Sequence, residues 1–317
     1  MLYPISEPIQ DSICSLYGYI DGTGKVIIPP SHFGCSHFFE GKASVINPKG
    51  RSGFIDGRGS LVIPYRFEGL ARFNEGLCSI NGGYIDHNGE WIIKPAFLVA
   101  SEFSEGRAYV SQDGEAFGFI DVTGQFVIPA DFRPCRSFRE GLSAICLEGR
   151  WGYIDRDGNI AIPVVFENSR ATYFNDGLAG VCLDGRWGFI DRKGNFVIRP
   201  EYEDLRGFSE GRACVMKDGK WGLVDRTGRQ VVACQFDELR GLNGSLAPAK
   251  KEGRAGFITG EGEWAVAPTF DRCFNFFGEL AVVKHSRNFS YIRRNGEIVW
   301  TSLPHATICY PPAPLWV

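Results

Sequence analysis

Seven aspartates recur along the chain at a nearly fixed step: Asp21, Asp56, Asp86, Asp121, Asp155, Asp191 and Asp225. Carboxylates serve as general acids, general bases and cation ligands, so their repetition calls first for a chemical reading. Each opens an Asp-x-x-Gly tetrapeptide, clearest at Asp191-Arg192-Lys193-Gly194. Asp at the first position and Gly at the fourth suit a type I turn closed by a left-handed Gly. A reaction needs its acid once, whereas a turn needs its cap in every copy, so the aspartates are expected to hold turns. Asp155-Arg156-Asp157-Gly158-Asn159 gathers oxygen donors but lacks the twelve-residue ligand spacing of a calcium loop. His32-Phe33-Gly34-Cys35-Ser36-His37 is the one close His/Cys cluster, and no Cys-x-x-Cys pair accompanies it, so it reads as loop rather than as a zinc site. His87, His285 and His305 have no acid or nucleophile beside them in sequence. No Gly-x-Ser-x-Gly elbow, phosphate-binding loop or dinucleotide fingerprint occurs. The expectation is a protein without catalytic residues, cofactor or metal.

The elements that carry these aspartates repeat with them. A fourteen-residue phrase, Trp187 to Pro200, recurs from Tyr17 to Pro30, from Trp151 to Pro163 and from Trp221 onward, with Thr259 and Arg293 in the Asp position of two worn copies. A fixed period near 34 residues marks a tandem array, in which each unit shares its core with its neighbours. In the sixth copy, Phe174-Asn175-Asp176-Gly177 forms a turn, Leu178 to Leu183 a first strand, and Asp184-Gly185 a two-residue hairpin turn. Arg186 to Asp191 is the second strand and Asn195 to Ile198 the third, which Pro200 is expected to stop. About ten irregular residues follow, with room for a short fourth strand. Alternation sends Trp187 and Phe189 to one face and Gly188 and Ile190 to the other, so the strand is buried on both sides. Gly188 is expected to leave a gap for a ring from an adjacent unit.

The aromatic-Gly-aromatic-Ile-Asp core, the Asp-x-x-Gly turn, the Ile-Pro step and the Phe-x-Glu-Gly turn together resemble the WG-repeat family over roughly residues 12–300. The resemblance implies a repetitive β structure, a binding or scaffolding role without catalytic motif, and an occurrence largely in bacteria. The third copy departs by shortening its first hairpin (Ile80 to Tyr84). The seventh has Ala233-Cys234 where others carry Ile-Pro, and the next turn reads Leu242-Asn243-Gly244.

Composition bounds the partners. The net charge of −3 and pI near 6.0 give none of the basic field that nucleic acid binding requires. No run of 18 apolar residues spans a membrane. Met1 to Leu16 lacks a basic start and carries Glu7 and Asp11, so a cytoplasmic location is expected. Of ten cysteines, Cys35, Cys135 and Cys273 share one repeat slot and Cys146 and Cys182 another, as small buried fillers would.

The predicted fold is all-β: about nine repeats of three or four strands over residues 12–300, after a lead-in (1–11) and before a Pro-rich tail (301–317). The first copy is expected to begin at Ser12 to Leu16. An open β-solenoid or superhelix is preferred, because no strand is shared across the ends; a closed propeller-like ring is the alternative. Repeating positions make rows. Glu40, Glu75, Glu105, Glu140, Asp176 and Glu210 form an acidic one, expected to satisfy local backbone donors. Arg156, Arg192 and Arg226 belong to a basic one. The predicted function is protein–protein interaction across the repeat surface. Candidate contact residues are Arg156, Arg192, Arg226, the hairpin tip Lys250, Lys251 and Arg254, and the tail aromatics Tyr310 and Trp316. The alternative is a multivalent small-ligand or glycan binder.

Overall fold

The computed structural model describes residues 1–9, 14–167 and 172–304. These form nine small antiparallel sheets of three or four strands, one after another along the chain, with no helix among them. They gather into two compact units, residues 1–103 with those from Phe276 onward, and residues 104–275.

The sixth sheet shows how the residues build a repeat. Its strands are Leu178–Leu183, Arg186–Asp191 and Phe196–Tyr202. Asp184 and Gly185 both take positive φ (52° and 71°), the mirror-image turn whose twist matches the strands it joins. At the second turn the Asp191 carboxylate accepts hydrogen bonds from the Lys193 and Asn195 N–H groups, at 2.8 and 2.9 Å. The same pair of bonds recurs at Asp21, Asp56, Asp86, Asp121, Asp155 and Asp225. The aspartates therefore cap turns, as their spacing predicts.

Two local expectations are corrected. The third strand does not stop at Pro200 but runs through it to Tyr202. Trp187 pairs with Tyr202 and Phe189 with Ile198, so the third strand carries extra residues in a bulge. Proline is tolerated there because a bulged residue gives up its ladder bond. The bulge also decides the role of Gly188. A Cβ on it would lie 2.5 Å from the Ile198 carbonyl oxygen and 2.8 Å from the Pro200 nitrogen. The space is filled by the backbone of the same sheet, not by a ring from another unit. The fourth strand does exist, but it belongs to the following sheet: Asp204–Leu205 pairs with Arg212–Lys217 of the seventh.

Successive sheets bury one another. Trp151, Tyr153 and Ile162 of the fifth share a core with Phe174, Ala179, Val181 and Ile190 of the sixth. The aromatic after the repeat glycine meets the Phe of the next repeat's turn edge-on, as at Phe119–Phe138, Tyr153–Phe174 and Phe189–Phe208, with centroids 4.7–4.9 Å apart. Where that aromatic is Tyr, its hydroxyl also donates to a carbonyl two residues before that Phe, 2.8 Å for Tyr153 to Thr172. Seven cysteines are buried in these layers, including Cys35, Cys135, Cys146, Cys182 and Cys273.

The same contact joins the ends of the chain within the first unit. Tyr291 lies 5.7 Å from Tyr3, and its hydroxyl donates to the Pro4 carbonyl at 2.7 Å. Arg293 reaches the Gly22 carbonyl, and the Glu279 N–H donates to the Tyr3 hydroxyl. An open superhelix keeps its end repeats apart, so the propeller-like alternative is the arrangement these contacts support. Among the described residues no strand is shared between the ends, because each end brings its own sheet. Tyr3–Pro8 is the first strand of the first sheet and pairs along Ser15–Ile20. Residues 3–8 are thus part of the first repeat rather than a lead-in, and Ser15 and Leu16 belong to its second strand.

Candidate interaction surface

The acidic row is built from the Phe-x-Glu-Gly turns. Glu40, Glu105, Glu140, Asp176 and Glu210 hold φ between 47° and 55°, and the glycine after each is also left-handed. That conformation is uncommon for glutamate and costs backbone energy. It aims each carboxylate at the next repeat. Glu40 accepts from the Gly76 N–H, Glu105 from Gly141, Glu140 from Gly177 and Asp176 from Gly211, at 2.8–3.1 Å. Glu210 accepts from both Gly244 and Ser245, at 2.6 and 2.7 Å. The row is a chain of staples between neighbouring repeats.

The basic row lies on these turns. Arg156 donates to the Glu105 carbonyl, and the guanidinium groups of Arg192 and Arg226 lie beside Gly141 and Gly177. Each reaches the turn of the repeat before its own. In the third repeat His87 takes this position. Its Nε2 is 3.1 Å from Glu40, its Nδ1 is 3.2 Å from the Lys42 ammonium, and its ring stacks on Phe73 at 4.4 Å. An ammonium only donates, so Nδ1 is the acceptor and the hydrogen sits on Nε2. In sequence His87 and its acid are 47 positions apart.

At the eighth repeat, Lys250 sits 3.5 Å from Glu238, Lys251 donates to Gln235 at 2.8 Å, and Arg254 pairs with Asp271 at 2.8 Å. Tyr310 and Trp316 lie outside the described residues. His32 and His37 diverge: His32 approaches the Tyr65 hydroxyl at 3.4 Å, while His37 is buried with its ring edge against Phe277. Among the described residues, no three His, Cys, Asp or Glu side chains converge as metal ligands.

Titration follows the hydrogen bonding. Bonds from the Thr227 hydroxyl, the Thr227 and Arg229 N–H groups and the Arg229 guanidinium hold the Asp225 carboxyl below the usual carboxylate range. Burial alone pushes the Cys135 and Cys273 thiols up, and Cys214 rises to about 12. Thiols so raised are poor nucleophiles.

Exposed apolar side chains lie on the third strands. These occupy the outer position in their sheets and open with exposed apolar pairs: Val26 and Ile27, Leu61 and Val62, Phe126 and Val127, Phe196 and Val197. An edge strand presents unpaired backbone groups, and apolar side chains on it are unusual for a surface meant to stay bare.

A family model described as a WG containing repeat matches eight consecutive segments, residues 17–47, 53–81, 83–115, 117–151, 151–187, 187–221, 221–254 and 256–286. The chain belongs to the WG-repeat family. The first sheet of this WG-repeat protein begins ahead of the matched segments, at Tyr3. No protein of curated function matches the chain. Among solved structures it is similar to one described as the eukaryotic initiation factor, at 9% identity and a TM-score of 0.64, covering 99% of this chain and 100% of that one. That likeness shows the fold alone. BamB from Moraxella catarrhalis aligns at 12% identity and a TM-score of 0.49, over 84% of this chain and 95% of its own. The computationally designed Ika8 protein aligns at 12% and 0.48, over 84% and 85%.

The WG dipeptide itself varies at its first residue. Trp151, Trp187 and Trp221 keep it, Tyr17 and Phe117 keep a ring, and Ala255 loses it. In two repeats the ring carries an arginine. The Arg136 guanidinium lies 5.6 Å over Trp151 and that of Arg206 lies 4.9 Å over Trp221. In the eighth repeat Arg240 stands where Arg206 stands in the seventh, but Ala255 offers it no ring and its guanidinium lies over Phe274 instead, at 5.9 Å.

Proposed function

We propose that this WG-repeat protein is a non-enzymatic scaffold that binds a protein partner along the outer strands of successive repeats. The observation that carries this reading is the recurrence of an exposed apolar pair at the start of several third strands. Turns and core explain the other recurring residues, but nothing in the fold requires Val62, Val127 and Val197 to be apolar where they are exposed. A partner laid across several repeats gains apolar area from each and a backbone edge to pair with.

The test replaces Val62, Val127 and Val197 together with Lys and compares the tagged variant with the parent in affinity capture from the native cell. The reading expects one protein, recovered at one equivalent by the parent and lost from the variant, whose melting temperature is unchanged. Equal recovery on both would refute it. Calorimetry with several equivalents of a small ligand per chain would favour a multivalent ligand binder instead.

A further inference from the structure

The missing ring at Ala255 leaves a cleft of about 20 Å³ in the second unit, whose lining includes Glu238, Arg240, Lys250, Ala255, Arg272 and Cys273. Room of that size takes one small group. Its electrostatics are unusual for this protein. Arg240 and Arg272 make no ion pair or side-chain hydrogen bond among the described residues, whereas Lys220, Arg229 and Arg254 nearby each have a carboxylate. The one acid at the cleft, Glu238, is 3.5 Å from Lys250. Arg240 is half-buried, its guanidinium 5.9 Å from the Phe274 ring, which Arg272 also approaches at 5.6 Å. Burial, with Arg206 and Arg272 close by, pulls Arg240 below the ordinary arginine range, and the attraction of Glu238 only partly opposes them.

We propose that the Arg240–Arg272 cleft is a recognition subsite for a carboxylate, supplied by an acidic side chain of the protein partner. Two guanidinium groups facing one small cavity match the two oxygens of a carboxylate, and a bound anion relieves their mutual repulsion. Ala255 makes the room: an indole here, as at Trp221, fills the space and gives the guanidinium a ring to lie on. The subsite rests on the scaffold reading for its biological source, but its chemistry stands on this cleft alone.

The experiment measures fluorescence anisotropy of a labelled octaglutamate peptide with the full chain. Ala255→Trp keeps every charge and fills the cleft; it is expected to weaken binding at least tenfold without lowering the melting temperature. Arg240→Gln combined with Arg272→Gln is expected to do the same, while Arg229→Gln, a cation away from the cleft, stays within twofold. Unchanged affinity in Ala255→Trp overturns the subsite and leaves only general charge attraction. Inorganic phosphate competing more strongly than acetate overturns the carboxylate assignment in favour of a phosphate. A Val62→Thr, Val127→Thr and Val197→Thr variant, which adds no charge, should bind octaglutamate as the parent does, so loss of the outer-strand reading and loss of this subsite are told apart.

Discussion

The seventh and eighth repeats share one backbone and differ at the ring before the repeat glycine and at the turn aspartate. Trp221 pairs with Phe236 and Leu223 with Val232; Ala255 pairs with Phe270 and Phe257 with Val266, so both third strands bulge at the same place. A Cβ on Gly222 would meet the Val232 carbonyl oxygen at 2.5 Å, and one on Gly256 the same atom of Val266, closer still. Yet the indole is present in one and absent in the other. Asp225 accepts two backbone bonds at 2.9 and 3.1 Å, whereas the Thr259 hydroxyl accepts the equivalent pair at 3.3 and 3.4 Å. The strand register thus depends on the glycine and on backbone pairing. The Trp and the Asp add stability to a geometry that forms without them. Freed from that task, the eighth repeat keeps a cleft with two cations that make no ion pair among the described residues.

Four measurements test this contrast. The largest effect is expected from Trp221→Ala, which copies the eighth repeat into the seventh. Removing a buried indole costs about 3–5 kcal/mol in chemical denaturation; a cost below about 1 kcal/mol would mean the ring is a surface residue. Gly222→Val should cost about 1–3 kcal/mol or more, since the bulged backbone cannot move away from a branched side chain. Gly256→Val should cost as much, because the bulge is common to both repeats. A large difference between the two would sever the glycine from the bulge.

Smaller, and opposite in sign, is Ala255→Trp, expected to raise the melting temperature by filling the cleft beneath Arg240. A fall would show that the eighth repeat has closed around alanine. The smallest effect concerns the turn. Asp225 has a depressed folded pKa, so its stabilisation is present above the ordinary carboxylate range and lost as the pH falls through the folded value. Asp225→Thr should therefore lower the melting temperature at pH 7 and have no effect in strong acid. Thr259→Asp should do the reverse, stabilising at pH 7 and not in acid. A gap between parent and variant that persists in acid would assign the effect to the threonine rather than to the carboxylate.

The period and the turn chemistry were legible because they are local. Asp191 lies two and four residues from the N–H groups it accepts from, and Asp184-Gly185 contains its whole hairpin turn. Pro200 misled because a proline that ends a strand and one that sits in a bulge have the same neighbours in sequence; only the pairing of Tyr202 with Trp187 separates them. Gly188 misled for the same reason, since the atoms it makes room for belong to the bulge. The junction of the ends was hidden because Tyr3 does the work of a turn phenylalanine without a Phe-x-Glu-Gly turn around it. The cleft at Ala255 was equally silent. An alanine in a worn copy gains meaning only when Arg206 is seen lying on Trp221.

Residue order by itself determined the number of sheets, the two hairpin turns in each and the alternation that buries both faces, because these follow from φ preferences and from a period of two. Tertiary structure decided which repeats touch across long separations, where the acidic and basic rows lie, and which cations gather at one cleft. Those outcomes rest on distances between residues about 34 positions apart or at opposite ends of the chain. Such distances are fixed by the packing of whole sheets, and no local preference encodes them.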